Sequence, residues 1–167
     1  MKVILITGVP GGGKTTIGNH LKNHYGFYHV DLEDSTVNSS REFIQFNQVG
    51  LDTNKLMIEI NNRQKSTVIT WGFGPEREND GDSVLELKRL GVKMFWFDGD
   101  RSLFKNAWKK AHPATPEDVF NMQINRINNQ NIQRIYQPIS IDPFDNITRD
   151  HRSIEEVVEE IFRKVGK

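Results

Sequence analysis

Gly8-Val9-Pro10-Gly11-Gly12-Gly13-Lys14-Thr15 is the stretch on which the reading of this 167-residue chain turns. It fits the pattern GxxxxGK[ST] in full, with an apolar run, Val3 to Ile6, before it and a helical stretch after it. Glycines let successive backbone N–H groups turn inward without a Cβ clash. Those N–H groups and the start of the following helix form a nest for an anion. In this pattern the lysine reaches the β and γ phosphates of a nucleoside triphosphate, and the threonine hydroxyl meets Mg²⁺. The residues assigned to ATP are therefore Gly8, Gly11, Gly12, Gly13, Lys14, Thr15 and Thr16, with Thr15 also a metal ligand. A dinucleotide fingerprint has no use for the Lys14-Thr15 pair.

Outward from the loop, strands and helices alternate. Val3 to Ile6 is apolar and mostly β-branched, as expected of a strand buried on both faces. A helix follows from Lys14 to His24, with Gly26 as its stop signal. Phe27 to Val30 reads as a second strand, Thr67 to Trp71 as a third, Val92 to Phe97 as a fourth and Ile139 to Ile141 as a fifth. Helical spacing predicts pieces over Ser40 to Val49, Thr53 to Asn62, Ser83 to Leu90 and Arg101 to Ala111. A further helix is expected from Pro116, capped by Thr115, through Val119, Met122 and Ile127 to Arg134 or Tyr136. The last helix, Ser153 to Val165, has an apolar stripe of Ile154, Val157, Val158, Ile161, Phe162 and Val165. Its glutamates form a solvated opposite face. This alternation predicts an α/β fold of three layers around a mainly parallel sheet.

Composition narrows the function. Twenty-two basic residues balance 22 acidic ones, which argues against a nucleic-acid partner. The absence of cysteine excludes disulfides and thiolate zinc sites. No apolar run has the length of a membrane span, so the expectation is a cytoplasmic protein of one domain, 1–167, with no membrane partner. The oligomeric state is not legible.

Two further segments carry candidate chemistry. Asp31-Leu32-Glu33-Asp34 follows the second strand, at the edge where open α/β sheets bind ligands. Asp31 is placed either to orient Mg²⁺ or to accept a proton from an acceptor hydroxyl; Glu33 or Asp34 is placed to bind that hydroxyl. Thr70-Trp71-Gly72-Phe73-Gly74-Pro75 closes the third strand. Gly72 and Gly74 would let a substrate approach the backbone, and Phe73 would wall its pocket; Trp71 suits either that wall or the core. The Walker B carboxylate usual at this strand end is replaced by Thr70 and Trp71, which weighs against a motor-type or switch-type ATPase. His20, His24, His29, His112 and His151 are scattered, and no zinc pattern joins them.

On Gly8 to Thr15, Asp31-Leu32-Glu33 and Trp71-Gly72-Phe73-Gly74, the chain resembles the small P-loop kinases of the shikimate kinase and gluconate kinase group, within the nucleoside monophosphate kinase-like fold. The resemblance implies a P-loop NTPase fold with a five-stranded parallel sheet ordered 2-3-1-4-5 and a small helical lid within 105–126. It implies ATP-dependent phosphorylation of a small-molecule or nucleotide acceptor. It gives Asp31 a part in the metal site and Glu33 a part in binding the acceptor hydroxyl. Glu33 stands where shikimate kinases carry aspartate, which argues against shikimate itself as the acceptor. It makes Arg41 the candidate for an acidic group on the acceptor, and Arg126 the lid cation for the transferring phosphoryl group. The lid region otherwise carries Arg101, Lys105, Lys109 and Lys110, and lysine lacks the bidentate geometry of guanidinium. The competing readings are a nucleotide-binding regulatory module or slow NTPase, and a polynucleotide-end kinase.

Overall fold

The computed structural model describes residues 1–33, 44–45, 50–72 and 80–166. Asp34, Arg41, Phe73 and Gly74, all candidates for the acceptor, lie outside the described residues. In chain order the elements are β1 (Val3–Gly8), α1 (Lys14–Tyr25), β2 (Tyr28–Asp31), β3 (Ile44–Gln45), β4 (Gly50–Leu51), α2 (Thr53–Arg63), β5 (Thr67–Thr70) and α3 (Asp80–Arg89). They continue with β6 (Lys93–Phe97), α4 (Arg101–Ala111), α5 (Glu117–Asn129), α6 (Ile132–Tyr136), β7 (Ile139–Ile141) and α7 (Ile154–Val165).

Five strands form one parallel sheet in the order β2-β5-β1-β6-β7. Numbered among themselves, these are strands 2-3-1-4-5, the order expected. The central strands are apolar on both faces because both faces are covered. Along β1, Ile4 and Ile6 pack with Ile17 and Leu21 of α1 and with Val158 and Ile161 of α7. Leu5, between them, packs on the other side with Leu56 and Ile60 of α2 and Val84 and Leu87 of α3. The same alternation recurs in β6, where Phe95 and Phe97 face one layer and Met94 and Trp96 the other. Three layers result, helices on either side of a sheet.

Local chemistry sets several boundaries. α7 starts at a capping box, with the Ser153 hydroxyl accepting from the Glu156 N–H and the Glu156 carboxylate accepting from the Ser153 N–H. Asp52 and Asp100 cap α2 and α4.

Three local expectations are corrected. Ile44–Gln45, inside the stretch expected to be helical, is extended and pairs antiparallel with Gly50–Leu51; the rest of 40–49 lies outside the described residues. A short apolar run such as Phe43-Ile44-x-Phe46 fits strand and helix equally, and here cross-strand pairing decides. The helix expected from Pro116 begins one residue later, with Pro116 itself as N-cap and no side-chain cap from Thr115. It also breaks, because Asn131 adopts a left-handed conformation (φ 49°) that separates α5 from α6.

Candidate nucleotide site

Strands β1, β2 and β5 end together. Asp31 is the register partner of Thr70, and Thr70 is the partner of Ile6, two residues before Gly8. The glycine loop, the acidic segment and the third-strand terminus therefore share one edge, as the sequence reading required.

The loop is seated against β6 and α4. A Cβ on Gly11, whose φ is +87°, would lie 2.3 Å from the Phe104 carbonyl oxygen, so no side chain fits there. Gly13 is the N-cap of α1 at φ +77°, and a Cβ there would meet only His151 Nε2, at 3.9 Å. α1 has no side-chain cap, unlike α2, α4 and α7, and no acidic residue stands in its first turn. Its leading N–H groups are left for an anion.

Lys14 is only 7% exposed, and its Nζ donates to the carbonyl oxygens of Val9 (3.1 Å) and Gly8 (3.4 Å). Burial pushes the amine below its ordinary 10.5, while Glu33 and Asp31 pull it back up. Thr15 Oγ1 donates to Asp31 Oδ2 at 2.9 Å, and the Glu33 N–H donates to Asp31 Oδ1 at 3.0 Å. The two residues proposed from sequence to serve Mg²⁺ are thus adjacent, and a hydroxyl beside a carboxylate is the hard oxygen set this ion takes. Uncapped N–H groups, a buried amine and this oxygen pair fit ATP with Mg²⁺.

Glu33 and Gly72 also meet. A Cβ on Gly72 would fall 2.3 Å from Glu33 Oε1, so the missing side chain leaves room for that carboxylate. Trp71 is 1% exposed, in the core layer with Leu5 and Ile69, which settles its role as packing.

A cavity of about 540 Å³ lies over the loop, lined by Pro10, Gly11, Gly13, Lys14, Thr15, Thr16, Asp31 and Glu33 on one side. Ala107, Trp108, Ala111, His112 and Gln123 of α4, α5 and the turn between them line the other, with His151. Among the described residues that line it, Lys14 is the sole lysine or arginine. Arg126, one turn beyond Gln123, is not among them. Lys105 pairs with Glu117, Lys109 donates to the Thr115 carbonyl at 3.0 Å, and Arg101 pairs with Asp98 at 3.1 Å. A larger groove of about 920 Å³, lined by Tyr25, Arg152 and residues of α7, contains neither the loop nor a strand end.

Two histidines with no assigned part stand at the site. His29 joins the two strand ends to α1: its Nε2 is 2.8 Å from Thr70 Oγ1 and its Nδ1 is 3.0 Å from Asn19 Oδ1. Gly18 makes room for the ring, since a Cβ there would lie 2.3 Å from His29 Nε2. The available signal was its spacing of two from Asp31, which puts both on one face of β2. His151 had no such signal; its Nε2 donates to the Gly11 carbonyl at 3.1 Å, across 140 residues of chain.

Among the described residues no helix is long and apolar enough to cross a membrane, and no cluster of three or more metal-ligating side chains occurs.

No protein-family profile matches the chain. A cytidylate kinase of Methanopyrus kandleri is 31% identical over 88 residues, which covers 50% of this chain and 40% of that protein. Among solved structures, a shikimate kinase from Bacteroides thetaiotaomicron superposes with a TM-score of 0.60 at 16% identity, covering 98% of both chains. A gluconokinase from Sinorhizobium meliloti 1021 gives 0.58 at 14% identity, covering 97% of this chain and 90% of that one. The chain has the fold of these small kinases.

Proposed function

We propose that the chain is an ATP-dependent kinase, using Mg²⁺, that moves the γ-phosphoryl group to a hydroxyl or phosphate of a small metabolite or nucleotide. The observation that carries the reading is the pairing of the uncapped start of α1 with the Thr15–Asp31 hydrogen bond at its mouth. The fold shared with kinases and the partial match to a cytidylate kinase agree with it.

Phosphoryl transfer asks a protein chiefly for alignment and for neutralisation of charge. Bound ATP with Mg²⁺ supplies the phosphoryl group and part of that neutralisation. The loop N–H groups hold the phosphates, and Lys14 exchanges its two carbonyl partners for phosphate oxygens. Thr15 and Asp31 hold the metal. Asp31 is already engaged by Thr15, so Glu33, exposed beside Gly72, takes the acceptor. Its carboxylate accepts a hydrogen bond from the acceptor hydroxyl. The hydroxyl oxygen bonds to the γ phosphorus, the bond to the β–γ bridging oxygen breaks, ADP leaves, and the proton passes to the carboxylate or water. The arm of α4 and α5, within 105–126, serves as the lid that excludes water.

The test is a screen of hydroxyl and phosphate acceptors for ADP formation, followed by phosphorus NMR of the product. The expected result is ADP formation that depends on one class of acceptor, with the phosphate found on it. Turnover at background with every acceptor, alongside tight ATP binding, supports a slow NTPase or nucleotide-responsive module instead. That second reading is favoured by the lack of an arginine among the described residues lining the cavity.

Gly72→Ala separates acceptor from donor. The atoms nearest the new methyl belong to the flexible end of Glu33, so the carboxylate moves and the fold persists. We expect kcat/KM for the acceptor to fall about 10- to 100-fold, with ATP affinity kept. Steady-state kinetics with each substrate varied in turn checks this.

A further inference from the structure

Beside the 540 Å³ cavity is an apolar cleft of about 260 Å³, lined by Gly12, Gly13, Thr16, Ile17, Pro143, His151, Arg152, Ile154 and Val157. His151 lines both spaces and stands where they meet. Four observations show that its ring is held there. It stacks on Phe144, with ring centroids 4.2 Å apart and planes at 29°. Phe144 and His151 also form a backbone bridge that closes the segment between them. Asp145 caps the intervening turn, accepting from the N–H groups of Ile147 (2.8 Å) and Thr148 (2.7 Å). Outside the turn, Arg152 ties its base to the Asp142 carbonyl (3.0 Å) and to Glu160 (2.7 Å).

The ring's polar edge meets the glycine loop. The partner of Nε2 is a carbonyl oxygen, so this nitrogen carries the proton and donates, at 3.1 Å, to Gly11. A carbonyl presents the wrong sign of partial charge to a polyanion. An N–H donor on it offsets that charge, and because the peptide is planar it also fixes the orientation of the Gly12 N–H. Gly11 has φ +87° and, like the glycines beside it, has no side chain to restrain the peptide. Such a loop needs an external brace to be set before the anion arrives.

Resting on the kinase reading above, we infer that His151 is a positioning residue for the phosphate donor: it latches the Gly11 peptide so that the loop is formed before ATP binds. It acts through the loop and takes no part at the acceptor.

The test compares His151→Phe, which keeps the stack on Phe144 and loses the donor, with His151→Gln, which restores an N–H donor. ATP affinity is measured by calorimetry without acceptor, and melting temperature is recorded for each variant. Kinetics with each substrate varied follow. For His151→Phe the ATP Kd and KM are expected to rise about fivefold, with acceptor KM and melting temperature unchanged. His151→Gln is expected to fall within about twofold of the native protein. Native-like ATP affinity in His151→Phe, or equal weakening in both variants, overturns the latch while leaving the kinase reading standing, provided Lys14→Ala abolishes binding. If the native protein itself does not bind ATP, the kinase reading and the latch fall together.

Discussion

Lys14→Met is expected to lower phosphoryl transfer by about 1000-fold while the domain still folds. The side chain is buried in the loop, and its amine is the one lysine or arginine cation among the described residues lining the cavity. In the resting protein that amine is spent on two loop carbonyls, at 3.1 and 3.4 Å, and the triphosphate must take their place. Methionine fills the aliphatic volume and supplies no charge. The fold should tolerate this, because a desolvated amine is a cost to the native state, as its lowered pKa records. The sign follows from proton binding. Between the lowered native value and 10.5, the unfolded chain holds more protons than the native one, so native stability rises with pH across that window. Below the window both states hold the proton and the burial cost stands in full. Lys14→Met should lose this alkaline rise. Denaturant titrations at a series of pH values check it, and single-turnover rates check the catalytic loss; a variant that transfers phosphate at the native rate removes Lys14 from the mechanism.

Asp31→Asn is the second large effect, with kcat expected to fall about 100- to 1000-fold and the Mg²⁺ requirement to rise. Asparagine keeps the shape and still offers an oxygen to the Thr15 hydroxyl or the Glu33 N–H, two donors that Asp31 now accepts from. What it removes is the charge. Asp31→Asn therefore tests the metal role without dismantling the strand end, and Mg²⁺ titrations of kcat separate weak metal binding from slow chemistry. Native turnover at saturating Mg²⁺ would mean that Asp31 only orders the loop.

Much of this was legible because the deciding signals are local. The glycine loop, the β-branched run before it and the stripe of Ile154, Val157, Val158 and Ile161 each lie within one window of sequence. Together they lead to the three-layer fold and to one sheet edge for Thr15 and Asp31, while the strand order came only with the resemblance to small P-loop kinases. What escaped depends on distant partners. Ile44–Gln45 is extended because Gly50–Leu51 pairs with it. His29 gains its place from a missing side chain at Gly18 and a hydroxyl at Thr70. His151 reaches Gly11 through a turn built by Asp142, Asp145 and Arg152, and no spacing rule links positions 11 and 151. The break at Asn131 escaped for a different reason, since the residues on either side of it keep helical spacing.

The seat of the glycine loop on α4 has a mechanical consequence. A Cβ on Gly11 would strike the Phe104 carbonyl oxygen at 2.3 Å and the Trp108 nitrogen at 2.9 Å, and one on Gly12 would strike the Phe104 ring. Gly11 and Gly12 are therefore packed directly on the first two turns of the neighbouring helix, which cannot swing without displacing the loop. If the arm swings, its pivot falls past Trp108, at the elbow formed by His112 and the turn to Pro116. There the Thr115 N–H donates to the His112 carbonyl at 3.1 Å and the Lys109 amine bonds the Thr115 carbonyl at 3.0 Å. Lys105, paired with Glu117, and Lys109, bonded to the Thr115 carbonyl, act in this conformation as struts of the elbow.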